Sequence, residues 1–453
     1  MKLFLSVLDR LQSYAPQSCI ERYDGLSHTY ANLLQELSRW NSLFDQLKVD
    51  PGTVVAIRTD FSASAVAVLL ALFARSAVAA LIPRDRDSAP YLEHAQASAF
   101  LELNVNGDYE WHPLMQSKHH PLLDKLRAVG GGGLVVFTSG STGTPKAALQ
   151  STERFLHKFQ RPGRRLRTVA FLLFDHIAGL DTLFYTLANG GTLIVPQRRD
   201  PKAILGLIES HAVEVLPTSP SFLRLLCVAG VADNYDLSTL KIITYGSEPM
   251  DASTLARLNV RFPNTQISQK YGSTEIGSPK SVSRGNDSLW LKIKHDGVET
   301  KVVDDVLWIR SESTILGYLN GPSPLDDEGW YCTGDLVDVE GEWIRFRGRA
   351  FEVINVGGEK VAPAEVEHVI LELDFVQDVI VLGESHALMG QVVAARVALA
   401  NSTMEEKEAA NRIRLHCLRR LAAYKVPIKI EFSQECFVNN RQKLERKRLP
   451  KTS

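Results

Sequence analysis

Thr138, Ser139, Ser141, Thr142 and Thr144 surround Gly140 and Gly143 in one short stretch, which opens after Leu134-Val-Val-Phe and closes with Pro145-Lys146. These residue types suit the binding of a polyphosphate. Glycines let backbone N–H groups come close to phosphate oxygens, hydroxyls add donors, and the lysine adds positive charge. The spacing is neither GxxxxGK[ST] nor GxGxxG, so the common mononucleotide and dinucleotide fingerprints do not apply. A flexible Ser/Gly linker is the alternative, and the Gly130–Gly133 run upstream favours it. A linker, however, needs neither strand residues before it nor a Pro-Lys close.

Six further segments carry polar residues in defined patterns. They are Phe174-Asp175-His176-Ile177-Ala178-Gly179, Thr244-Tyr245-Gly246-Ser247-Glu248-Pro249, and Gln269-Lys270-Tyr271-Gly272-Ser273-Thr274-Glu275. Next come Trp330-Tyr331-Cys332-Thr333-Gly334-Asp335, Phe346-Arg347-Gly348-Arg349 with the Gly357-Gly358 loop after it, and Asn440-Arg441-Gln442-Lys443. Singly, most read blandly: His176 as a core histidine, Thr333-Gly334-Asp335 as a turn, the basic tail as a solvated face.

Taken together and in this order, they resemble the adenylate-forming superfamily, which includes acyl-CoA and aryl-CoA synthetases and peptide-synthetase adenylation domains. The resemblance runs from about residue 25 to 449. It implies an ATP site made of Thr138, Ser139, Gly140, Ser141, Thr142, Gly143 and Lys146, with Gly246, Ser247, Glu248, Pro249, Tyr271, Gly272 and Ser273. Tyr271 would stack on adenine, and Thr274 would hydrogen-bond the α-phosphate. Glu275 would hold Mg²⁺, a hard cation that prefers oxygen ligands. Asp335 would accept hydrogen bonds from the ribose hydroxyls, and Arg349 would contact ribose or phosphate. His176, Gly179, Gly246 and Ser273 would border the acyl pocket. Gly357 and Gly358 would line a thiol tunnel. Lys443, with Lys447 as the fallback, would be the catalytic lysine, so that the catalytic set is Lys443, His176, Thr274 and Glu275. Three positions depart from the pattern: Phe351 at a usually polar hinge, Gln442 where glycine is usual, and Ser76 where glycine is usual. The compact length is similar to the o-succinylbenzoate–CoA ligase branch.

The implied reaction is ATP-dependent activation of a small-molecule carboxylic acid as an acyl-adenylate with release of pyrophosphate. Transfer to CoA follows. An alternative acceptor is carrier-protein phosphopantetheine, loaded by a stand-alone adenylation enzyme. A non-catalytic nucleotide-binding protein and an amino-acid-activating enzyme that uses Asp175 are further readings.

These segments need a scaffold. Runs such as Thr53–Ile57, Gly133–Phe137, Thr168–Leu173, Thr192–Val195, Val213–Leu216 and Leu240–Thr244 alternate with helical periodicity. That is an α/β pattern of mainly parallel sheets. Beyond about residue 285 the runs Leu289–Lys294, Thr300–Val303, Val306–Ile309 and Glu342–Phe346 predict a β-rich subdomain. A strand over Phe351–Val356, helices over Pro363–Leu373 and Met404–Leu421, and strands over Val376–Leu382 and Val392–Leu399 predict a small α+β domain, which the resemblance implies is mobile. The expected division is 1–348 and 349–453. With 453 residues, two or more cores are expected. A formal net charge of −1 gives no field for nucleic acid. No apolar run is long enough to span a bilayer, and the N-terminus reads as an amphipathic helix. Five cysteines without a CxxC pair read as buried, reduced thiols of a cytoplasmic protein, monomer or homodimer.

Overall fold

The computed structural model describes residues 2–114, 120–139, 144–294, 297–400, 404–433 and 437. Within them the chain forms four sheets. The first has seven strands, with Val54–Arg58, Val78–Leu81, Ala99–Leu103 and Gly133–Ser139 parallel at its centre. Pro145–Ser151 then turns back antiparallel to Gly133–Ser139, and Gly317–Tyr318 adds to its far edge. The second sheet runs Gln266–Gln269, Ile242–Tyr245, Val215–Thr218, Arg167–Val169, Thr192–Val195 and Ser18–Arg22, all parallel, with Ser27–Thr29 antiparallel at the edge.

The central strands read as unbroken apolar runs because both faces are covered. The helix Ala63–Ala74 is apolar on every side and is buried, as such a helix must be. Ser62 caps it, accepting from the Ala65 N–H at 3.1 Å. Phe73 of this helix stacks on Phe184 of the helix Ile177–Ala188, with ring centroids 5.8 Å apart. The first helix, Lys2–Ser13, is amphipathic as expected and buries Phe4, Val7 and Leu11.

The third sheet is antiparallel and contains Ser281–Ser283, Leu291–Ile293, Trp343–Arg349, Tyr331–Glu340, Val306–Ser311 and Val298–Val303. The fourth joins Ile354–Val356, Glu359–Val361, Val376–His386, Gly390–Leu399 and Lys429–Ser433, packed by helices Pro363–Ile370 and Glu406–Arg420. It has its own core, including Ile354, Val366, Val381, Val393 and Ile413. Arg224 ties this part to the rest. Its Nη1 lies 2.8 Å from Asp378 and its Nη2 3.5 Å from the fully buried Asp251.

Several elements differ from the sequence reading. The strand expected over Thr168–Leu173 ends at Val169, because residues 170–173 leave the sheet to bring His176 to a helix start. Phe351 lies in a 3-10 turn, Ala350–Glu352, and not in a strand. It is 66% exposed, a large apolar ring on the surface. Cys19 and Cys417 are buried, but Cys332 is exposed, because it points outward between Tyr331 and the buried Thr333 on a strand of period two. Burial pushes the Cys19 thiol up to about 12 and that of Cys417 to about 11, so neither is a ready nucleophile. No helix among the described residues is long and apolar enough to cross a membrane.

The backbone at Ser76 makes plain why glycine would suit this position. It follows the helix Ala63–Ala74 with φ +54°, the left-handed conformation, and is only 7% exposed. Its N–H bonds the Phe73 carbonyl, and the Ala77 N–H bonds that of Leu72. A helix stop of this type favours glycine, since Cβ crowds the following carbonyl. Ser76→Gly is expected to stabilise the protein by about 0.5–1 kcal/mol. A lower urea midpoint for the variant would contradict this.

Candidate active site

The strands on either side of the glycine–hydroxyl stretch pair antiparallel. Thr138 stands opposite Lys146, and Ser139 opposite Pro145. Gly140, Ser141, Thr142 and Gly143 lie outside the described residues. Asn320 clamps the closing side of the loop. Its Oδ1 accepts from the Ala147 N–H and its Nδ2 donates to the Pro145 carbonyl, both at 2.8 Å.

The neighbouring Tyr318 brings the site together. Its hydroxyl donates to Glu275 Oε1 at 2.7 Å. The Thr138 side chain acts on the same phenol in the opposite direction to burial. The Lys146 ammonium sits over the Tyr318 ring, 5.0 Å from its centroid. One residue therefore joins Lys146, which closes the glycine–hydroxyl stretch, to the glutamate of Tyr271-Gly272-Ser273-Thr274-Glu275. Burial, then the Glu275 charge, pushes the Tyr318 phenol well above its ordinary range, so it stays a donor. Tyr318 escaped the sequence reading because its partners meet it only through the antiparallel pairing of Gly317–Tyr318 with Pro145–Ser151.

Glu275 is 7% exposed. Among the described residues its second oxygen accepts no hydrogen bond. A buried carboxylate with one oxygen oriented and the other unclaimed suits a hard divalent cation. Just before it, the Ser273 hydroxyl is buried without a partner among the described residues. Ser273 N donates to the Gly277 carbonyl at 3.1 Å, closing a tight bend. A Cβ on Gly272 would come within 2.5 Å of that same carbonyl, which is why glycine stands there. Thr274 is half-buried in this bend.

Tyr271 and Asp335 are brought together. The Tyr271 hydroxyl donates to Asp335 Oδ2 at 2.7 Å, and Arg349 Nε lies 3.2 Å from Oδ1. Asp335 and Arg349 are cross-strand partners. Burial raises the Asp335 carboxyl above its ordinary range, with Arg349 and Tyr271 acting in the opposite direction. Burial, then the Asp335 charge, raises the Tyr271 phenol. One face of the Tyr271 ring stacks on Phe346, with centroids 4.6 Å apart and planes at 14°. Only its other face is left for an adenine. A ribose at Asp335 must share a carboxylate that already has two partners. Burial, then the Glu275 charge, raises the Tyr331 phenol, and Asp335 acts in the same direction.

On the other side, Gly246 ends the strand Ile242–Tyr245. A Cβ there would come within 2.6 Å of the Lys270 carbonyl. Ser247 follows with φ +67° and donates its hydroxyl to the Gly246 carbonyl. Glu248 accepts from the Ser221 hydroxyl at 2.6 Å and the Ser221 N–H at 3.2 Å, so its carboxylate serves the start of the helix Pro220–Ala229. Pro249 follows, half-buried. His176 is the N-cap of the helix Ile177–Ala188, without a side-chain capping bond. Gly179 packs so tightly on the preceding loop that a Cβ would meet the Leu173 carbonyl at 1.9 Å. Its place in the sequence thus has a packing reason of its own.

Gly357 and Gly358 form the tip of the hairpin between Ile354–Val356 and Glu359–Val361, with φ +59° and +98°. A Cβ on Gly357 would strike Met389, while the space at Gly358 is open. Lys443 and Lys447 lie outside the described residues.

A family model described as AMP-binding enzyme matches residues 133–319, and one described as AMP-binding enzyme C-terminal domain matches residues 365–442. The chain is 30% identical over 373 residues to acyl-CoA synthetase 7 of Caenorhabditis elegans, covering 75% of this chain and 68% of that protein. It is 26% identical to 4-coumarate–CoA ligase-like 9 of Oryza sativa subsp. japonica, covering 92% of this chain and 87% of that one. In fold it is similar to ATP-bound MatB from Rhodopseudomonas palustris, with a TM-score of 0.81 at 21% identity over 97% of this chain and 96% of the other.

Proposed function

This chain belongs to the AMP-binding, adenylate-forming enzyme family and is an AMP-forming acid–thiol ligase, and we propose the following division of labour among its residues. The acid's carboxylate attacks the α-phosphorus of ATP, the bond to the bridging oxygen breaks, and pyrophosphate leaves. The CoA thiol, losing its proton, then attacks the acyl-adenylate carbonyl, and AMP leaves with the bonding pair. The nucleophile of the first step is already ionised, so the barrier comes mainly from crowded negative charge.

The residues from Thr138 to Lys146, including Gly140, Ser141, Thr142 and Gly143, hold the phosphates. Thr274 donates to the α-phosphate. Glu275 holds Mg²⁺, which when bound would neutralise triphosphate charge. Tyr271 offers its free face to adenine, and Asp335 with Arg349 meets the ribose. His176, Gly179, Gly246 and Ser273 border the acid. Lys443 contacts the reacting carboxylate and α-phosphate. Gly357-Gly358 accommodates the thiol arm, and the chain divides functionally at 348/349, with the Ala350–Glu352 turn as the pivot. The separate core of the C-terminal sheet supports that division.

The observation that carries this reading is Tyr318, whose hydroxyl bonds Glu275 while its ring carries Lys146. Pyrophosphate release, followed with ATP and a panel of fatty, aryl and amino acids, tests it. At least one acid class is expected to elicit release, and CoA to be consumed only in its presence. Silence across the whole panel would refute the assignment. Thioester formed on phosphopantetheinylated carrier protein but not on CoA would reassign the acceptor.

A further inference from the structure

Asp378 is a buried carboxylate near the start of the strand Val376–His386. The pairing of that strand shifts register between Val376 and Asp378, a bulge of the kind that re-aims a side chain. The two oxygens of Asp378 have different partners. Oδ1 accepts from Arg224 Nη1 at 2.8 Å and from the Val379 N–H at 3.0 Å. Oδ2 accepts from the Phe437 N–H at 3.1 Å. Phe437 precedes Lys443 by six positions and is the last described residue before it.

Arg224 is itself fixed. It lies on the helix Pro220–Ala229, which also holds Glu248 through Ser221. Its Nη2 is 3.5 Å from Asp251 Oδ2, while Asp251 Oδ1 caps the helix Ala252–Arg261 by accepting from the Thr254 N–H at 2.7 Å. Ser253, at the same cap, donates to the Leu371 carbonyl at 3.2 Å, a second link to the C-terminal part. Within the C-terminal sheet, Asp378, Ala398 and Ser433 stand in one row, and the last strand ends at Ser433. Among the described residues, the Phe437 hydrogen bond to Asp378 is the first tether of the chain beyond that strand. A backbone N–H on a buried carboxylate, itself held by a guanidinium, is a strong and directional anchor.

We propose that Asp378, clamped by Arg224, is a positioning residue for adenylate formation: it fixes the point from which the segment carrying Lys443 departs. This rests on the acid-activating reading above, with Lys443 as its lysine, and adds the groups that aim that lysine. Neither Asp378 nor Arg224 touches the reacting atoms. Their effect passes through one backbone N–H, so it should fall on the step that uses Lys443 and spare the transfer to CoA.

The test measures the two half-reactions separately: acid-dependent pyrophosphate release, and thioester formation from supplied acyl-adenylate and CoA. Asp378→Asn keeps the size of the side chain but offers one acceptor oxygen and one donor nitrogen, so it cannot serve both Arg224 and Phe437. It should slow pyrophosphate release by about 10–100-fold, the range of a charge-assisted hydrogen bond, and leave thioester formation within about threefold. Arg224→Gln should match it, and Arg224→Lys, which keeps the charge, should lose less. Phe437→Pro deletes the donor N–H and leaves the Arg224–Asp378 pair, so it keeps the test open if the buried variants do not fold. It should slow release more than Phe437→Ala. Melting temperatures show which variants are folded. In a Lys443→Ala background, Asp378→Asn should add less than about threefold, because the group it aims is gone. A folded Asp378→Asn with the wild-type release rate, equal slowing of both half-reactions, or a full further loss on top of Lys443→Ala overturns the inference alone. If no acid elicits pyrophosphate from the wild type, the acid-activating reading falls and takes it along.

Discussion

Glu275→Gln is expected to slow acid-dependent pyrophosphate release by about 10²–10³-fold at saturating ATP, comparable to removing one preorganised charge-stabilising group. Glutamine keeps the shape of the side chain, and its carbonyl oxygen can still accept the Tyr318 hydroxyl that now bonds Glu275 Oε1. The packing around this buried position should therefore persist, and the variant separates charge from structure. What disappears is the negative charge on the oxygen left unclaimed among the described residues, the one suited to Mg²⁺. Tyr318→Phe leaves the charge and removes only its orienting bond. It should cost less, about 10-fold, corresponding to a single hydrogen bond. Wild-type rates for Glu275→Gln across a Mg²⁺ titration would remove Glu275 from the metal site. Equal losses in the two variants would instead point to orientation as the decisive contribution.

Lys443→Ala should lower the first half-reaction by about 10²–10³-fold, because a positioned ammonium offsets the charge that builds between carboxylate and α-phosphate. Conversion of supplied acyl-adenylate and CoA to thioester should proceed at the wild-type rate, since that step does not need this group. This asymmetry is the diagnostic result, because a general defect in folding would slow both steps. Lys447→Ala, made in parallel, should leave both within about threefold. If Lys447→Ala gives the asymmetric loss and Lys443→Ala does not, the basic tail is in a different register and Lys447 is the catalytic lysine.

What could be read from the chain alone was chemistry carried by contiguous residues. A stretch of glycines and hydroxyls ending in Pro145-Lys146 suits a polyphosphate, because its donors are neighbours in sequence and glycine relieves the crowding. The parallel α/β architecture was equally legible, since buried strands such as Val54–Arg58 and Val78–Leu81 must be apolar on both faces. Ser76 was visible as an oddity, but its left-handed backbone was not. Tertiary structure alone decided which distant groups would share a site. Tyr318 meets Lys146 and Glu275 because a two-residue strand pairs with Pro145–Ser151, and nothing near Tyr318 in sequence announces it. In the same way Phe346 takes one face of Tyr271, and Lys158 pairs with Asp181 of a separate helix. Backbone conformation and hydrophobic period are local and survive in the sequence. The pairing of charges and rings across the fold depends on how whole sheets pack, and no short window of residues records that.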